Sequence, residues 1–171
     1  MKKAIVVVIL CCVSSVIWCG SRVYKSVIFD IECEGHMKRA ADANTVEMAV
    51  KEMETVVAYQ ESRGMTQGYT SVLYRTPDED VGFWYQNMKA SLSELKSVAP
   101  EATLLEKSNV LMKLRETLID EGKRTQVTVP SGISIYPRNT AYAFFGIISL
   151  LILIIGLIIV RVKFDDWDRG W

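Results

Sequence analysis

Imidazole is nearly absent from this sequence: His36 is the one histidine. That scarcity leaves no redundant Ser-His-Asp or Cys-His set for nucleophilic catalysis. Cys33 precedes His36 by three residues, and the two share a face if the segment is helical. No oxyanion donor or orienting partner is recognisable beside that pair. The glycine-rich fingerprints of nucleotide sites, GxGxxG and GxxxxGK[ST], are missing. Of the four cysteines, Cys11, Cys12 and Cys19 fall in an N-terminal apolar run, and only Cys33 lies beyond it. One thiol cannot staple its own domain, and no CxxC or Cys/His spacing suggests zinc. Cys33 is read as a free or packed thiol, or as an intermolecular bridge. The formal net charge is zero, so the clustered basic face that nucleic acid requires is not offered. The chain is expected to be no enzyme. No cofactor, metal, nucleic acid or identifiable small-molecule ligand is expected.

What is plentiful is apolar sequence, and it collects at the two ends. Residues 141–160 read AYAFFGIISLLILIIGLIIV, with no charge. At 1.5 Å per residue that length spans about 30 Å, the thickness of a hydrocarbon core. Tyr142, Phe144 and Phe145 gather at one end, where aromatic rings favour the interface. Arg161 and Lys163 close the other. The N-terminus reads MKKAIVVVILCCVSSVIWCGSR. Its apolar run, 4–20, is short for a spanning helix unless its flanks snorkel. It also fits a secretory signal, with small residues at Cys19 and Ser21 for cleavage. Anchor and signal both place the following domain on the same side. Basic residues near the membrane ends set orientation: Lys2, Lys3, Arg161, Lys163 and Arg169 on the cytoplasmic side, Arg22, Lys25 and Arg138 outside. The lysine-led start is bacterial in style. Within 141–160, Gly146, Ser149, Leu153 and Gly156 fall on one side of the helix. Small residues there allow close helix packing in lipid, against the first anchor or another subunit.

Three helices are predicted between these ends. The first covers about Asn44–Arg63, with Val46, Ala49, Val50, Met53, Val56 and Val57 on one face. Asn44 with Glu47 suits a capping box, and Gly64 a stop. Upstream, Gly35, Arg39 and Asp42 interrupt the stripe, so a bend or solvated stretch is expected near Gly35. The second runs from Thr76-Pro77-Asp78-Glu79 to about Val98, before Pro100. Its stripe is Val81, Trp84, Tyr85, Met88, Leu92 and Leu95. Asp78, Glu79 and Asp80 are read as helix-start residues rather than cation ligands, since EF-hand spacing is lacking. The third covers Glu101–Glu121, ending at Gly122. It carries two rows, Leu104, Leu111, Leu118 and Leu105, Met112, Ile119, widened by Val110 and Leu114. So broad an apolar arc touches more than one neighbour. Arg115 lies between the rows, either snorkelling or pairing with a carboxylate. Residues 68–74 read as a loop or short strand. In 126–136, QVTVPSGISIY alternates around Pro130-Ser131-Gly132, predicting two short strands or an extended stalk.

Phe83 points away from the second helix's stripe, toward Gln86, Asn87, Ala90 and Glu94. It is either covered by residues 65–75 or 126–136, or it contacts a partner.

The expected fold is mainly α. It is a small bundle of about three helices with a minor β-hairpin or extended segment, tethered by one or two transmembrane helices. The expected division is 1–21 anchor or signal, 22–140 extracytoplasmic domain, 141–161 transmembrane helix and 162–171 cytoplasmic tail. Trp167 and Trp171 of the tail suit a membrane surface. The setting is a membrane, in style a bacterial inner membrane. The expected function is a non-enzymatic interaction or scaffold subunit that contacts the bilayer and itself or another membrane protein. Phe83 is the candidate partner contact, and Gly146, Ser149 and Gly156 the candidate transmembrane packing residues. The alternative is an outer ligand-sensing module that passes its signal to a separate protein.

Overall fold

Helix is the only extended regular structure among the residues that the computed structural model describes, 2–119 and 126–168. α1 (Lys2–Phe29) and α6 (Asn139–Asp168) are rich in Ile, Leu and Val. Two helices, Ile5–Ala41 and Asn139–Val162, are long and apolar enough to cross a membrane. The chain forms two compact units, one of residues 1–25 and 138–171, the other of residues 26–137. The side chains of Trp167 and Trp171 lie outside the described residues.

The 26–137 unit begins with a π-helical turn, Asp30–Glu34, which leads into α2 (Gly35–Ala41). The Gly35 amide bonds the Asp30 carbonyl, the wide spacing of a π turn. A Cβ on Gly35 would stand 3.0 Å from that same carbonyl oxygen. The bend or solvated stretch expected near Gly35 is therefore a widened helical turn. Its inner face is Cys33, Met37, Ala40 and Ala41, all buried, so the apolar stripe continues upstream in a different register.

α3 (Val46–Ser62) is capped by Thr45, whose hydroxyl accepts from the Met48 amide at 3.3 Å. The expected cap was Asn44 with Glu47. Thr45 holds the extended backbone that an N-cap needs, and this moves the start by one residue. At the far end Met65 N–H bonds the Gln60 carbonyl and Gly64 N–H bonds the Glu61 carbonyl. Gly64 takes φ +70°, so this is a Schellman stop. Ala49, Met53, Val56 and Val57 are buried along α3.

Residues 65–80 return over the unit through one antiparallel bridge, Tyr69 to Asp80. The second predicted helix starts later than expected. Pro77–Glu79 forms a 3-10 turn, and α4 runs Val81–Ser97. Asp80 is the N-cap, its carboxylate accepting from the Phe83 amide at 3.0 Å. Val81 N–H is drawn to the Gly68 carbonyl, which ties the helix start to the returning loop. Val81, Trp84, Met88 and Leu95 are buried, with Tyr85 and Leu92 half-buried beside them.

α5 (Leu104–Leu118) starts three residues inside its predicted span. Thr103 is its N-cap, in a capping box with Glu106. The expected end at Glu121 and Gly122 lies outside the described residues. Bonds from the Thr103 amide and hydroxyl hold the Glu106 carboxyl below the usual carboxylate range. A depressed carboxyl contributes stability above its unfolded value that is lost as pH falls through its folded value. Glu106→Gln keeps the box geometry and removes the charge. Its acid unfolding between about pH 6 and about pH 3 is expected to be shallower than that of the parent chain. Circular dichroism at a series of pH values checks this, and equal slopes would refute it.

The predicted hairpin is not formed by the described residues. Val127 makes a single antiparallel bridge to Ile119, and Thr128 N–H bonds the Leu118 carbonyl at 2.8 Å. The arm after the turn does not pair back. Gly132 adopts φ +73° and opens a 3-10 turn, Ile133–Ile135, closed by Tyr136 N–H on the Ile133 carbonyl. That turn buries both isoleucines in the unit. A two-stranded ribbon by itself would have gained less.

Candidate interaction site

α5 presents an exposed apolar face on the 26–137 unit. Its inward residues, Leu114 and Leu118, are buried, and Val110 and Leu111 pack at the edge of the core. Ile119 packs there too, and the three residues left of the two predicted rows face outward. Leu104 is 88% exposed, Leu105 71% and Met112 59%. Beside them lies a cavity of about 480 Å³, bounded by Ala43, Thr45 and Val46 on one side and Leu104, Leu111 and Met112 on the other. Arg115 stands at its rim, 3.6 Å from the Asp42 carboxylate, which resolves its predicted choice in favour of a pair.

A second exposed apolar group lies on the 65–83 segment. Phe83 is 62% exposed, so neither the 65–75 loop nor the 126–136 segment covers it. The loop tip adds Leu73, 90% exposed, and Tyr74. Asp80 and Glu79 are occupied locally, Asp80 as a cap and Glu79 by the Thr76 hydroxyl.

In the 1–25 and 138–171 unit, the predicted small-residue face of α6 meets α1. A Cβ on Gly146 would stand 2.7 Å from the Trp18 ring, and one on Gly156 would stand 2.8 Å from Val8. Ser149 lies between them, its hydroxyl 2.9 Å from that of Ser15 and 3.3 Å from that of Ser14. Trp18 gives its indole N–H to the Tyr142 carbonyl at 2.9 Å. Arg22 lies over the Trp18 ring and Lys25 over the Tyr142 ring. Leu153 lines a groove of about 390 Å³ between the helices, with Ser15 and Cys19 across from it.

His36 does not stand alone with Cys33. Its Nδ1 lies 2.6 Å from Glu52, whose other oxygen is 2.6 Å from Arg39. Glu52 is buried, so its charge needs both neighbours. The sequence carried a signal for this cluster: position 52 falls on the core row of Ala49 and Val56. A carboxylate-held imidazole is half of an acid–base device. Two hydroxyls bordering the neighbouring groove are committed elsewhere, that of Thr55 to the Lys51 carbonyl and that of Ser62 to the Tyr59 carbonyl. Among the described residues the hydrogen-bond partner of His36 is Glu52, and the cluster joins α2 to α3. Cys33 is a free, buried thiol of the core. Among the described residues no cluster of three or more His, Cys, Asp or Glu side chains is suited to a metal ion.

No protein-family model, no curated protein and no solved structure matches this chain.

Proposed function

We propose that this chain is a non-enzymatic, membrane-anchored interaction subunit that assembles with copies of itself or with another membrane protein. The observation that carries the reading is the outward apolar face of α5, Leu104, Leu105 and Met112. Side chains of this kind, exposed together beside a cavity, mark contact surfaces rather than ordinary solvated ones. The exposed Phe83 and the Leu73 tip support the same reading.

In this reading α1 stays attached as an anchor beside α6, because the Trp18–Gly146 contact and the shared hydroxyls give it a lasting partner. The basic residues at both chain ends favour cytoplasmic termini. Residues 22–140 then lie on the extracytoplasmic side, and the lysine-led start suits a bacterial inner membrane. The experiment is a mass measurement of the full chain purified in mild detergent. An oligomer or a stoichiometric complex is expected. A strictly monomeric, partner-free species would overturn the proposal.

One observation favours a second reading, the ligand-sensing module. The cavity beside α5 is about 480 Å³, within the range of small-molecule sites. A specific thermal shift of the full chain with one member of a metabolite panel would favour sensing over scaffolding.

A further inference from the structure

α5 carries its own complement. Leu105 projects from the helix and does not border the cavity beside it, whereas Leu104, Leu111 and Met112 do. A projecting apolar side chain next to a hollow whose wall on this helix includes Leu104, Leu111 and Met112 is a self-complementary pattern, which a two-fold axis satisfies. The charges repeat the theme. Glu101 lies just ahead of the helix start and makes no ion pair among the described residues, and Arg115 lies in the last turn. Three other charges of α5 are committed locally, Glu106 in the capping box, Lys107 on the Pro100 carbonyl and Lys113 on Glu94, while Glu116 is exposed and makes no ion pair among the described residues. An acid with no ion pair among the described residues thus precedes the helix, and near its end stands a base whose own pair, to Asp42, is long at 3.6 Å.

We infer that α5 docks antiparallel on α5 of a second copy of this chain, about a two-fold axis at Ser108. This deepens the subunit reading above and rests on it. In that register Leu104 faces Met112 of the copy, and Leu105 enters the hollow at Leu111 of the copy. Glu101 reaches Arg115 of the copy at each end. Ser108, small and exposed, sits where the two helices cross and lets them approach. Antiparallel pairing also sets the positive start of each helix dipole beside the negative end of the other.

The test uses the full chain in mild detergent, with Cys11, Cys12 and Cys19 replaced by serine. Ser108→Cys is expected to form a disulfide-linked dimer under mild oxidation, at least about tenfold faster than Gln86→Cys on α4. Leu105→Glu is expected to weaken the dimer at least about tenfold. Leu105 is mostly exposed, so an unchanged unfolding midpoint will show that the variant is folded. Glu101→Arg and Arg115→Glu are each expected to weaken association, and the double variant to restore it. A role of Arg115 confined to its own Asp42 would not be rescued in this way. A dimer that ignores Leu105→Glu and does not cross-link at Ser108→Cys would overturn this inference and leave the subunit reading standing. A monomer with no partner at any concentration would overturn both.

Discussion

Trp84→Ala is expected to destabilise the 26–137 unit by about 3–5 kcal/mol, the cost of emptying a large aromatic site in a core. The indole is buried between α4 and the 126–136 segment, and its N–H bonds the Thr128 carbonyl at 3.2 Å. It is a polar tie from α4 to a segment whose ladder contact among the described residues is one bridge. For a domain of this size the loss corresponds to a fall of roughly 12–30 °C in the unfolding midpoint. Trp84→Phe separates the two contributions. It keeps most of the packing and orphans one carbonyl, a loss of about 1 kcal/mol from the bond. Circular dichroism of the full chain in detergent measures both variants. A loss below about 1 kcal/mol for the alanine variant would show that the 126–136 segment is held by something other than Trp84.

The second large effect is expected at Gly146→Leu. There is no room for a side chain, since even its Cβ would lie 2.7 Å and 3.0 Å from two atoms of the Trp18 ring. The ring cannot swing aside cheaply. Its N–H is bonded to the Tyr142 carbonyl and Arg22 lies over its face. The helices must part, and overpacking of this sort costs about 1–3 kcal/mol. A cysteine pair reports the separation. Ser15→Cys with Ser149→Cys is expected to cross-link readily, because the native hydroxyls are 2.9 Å apart. Adding Gly146→Leu is expected to slow that cross-link at least about tenfold, the factor that 1.4 kcal/mol represents. An unchanged rate would show that the helices do not meet through Gly146.

Much of the helical plan was legible because apolar periodicity survives folding. Val81, Trp84, Met88 and Leu95 are buried as their spacing predicts, and Gly64 stops α3 where it should. Errors gathered where a tertiary contact competes with a local signal. Thr76-Pro77 reads as a helix start, yet the pull of Val81 on the Gly68 carbonyl makes it a separate turn. The alternation in 126–136 reads as a hairpin, but burial of Ile133 and Ile135 folds its second arm into a 3-10 turn. The His36–Glu52–Arg39 cluster was missed for a related reason. The π turn resets the register of the segment that carries His36, so facing residues on α2 and α3 cannot be matched by spacing alone. Of the candidate contacts, the outward rows of α5 were visible as an excess of leucine. The hollow beside them was not, because Ala43, Thr45 and Val46 come from the distant junction of α2 and α3.

The hydroxyl contact of Ser149 with Ser14 and Ser15 has a mechanical consequence. In an apolar surrounding a hydroxyl strongly prefers a partner, and Ser149 finds its partners at one axial position. Sliding α6 along α1 by a single turn, about 5.4 Å, would part Ser149 from both serines and lift Trp18 off Gly146. The two helices are therefore keyed together like a bolt in its slot, and a piston stroke of one against the other is the motion this pair resists most. Any signal that crosses with them must move the pair as one body.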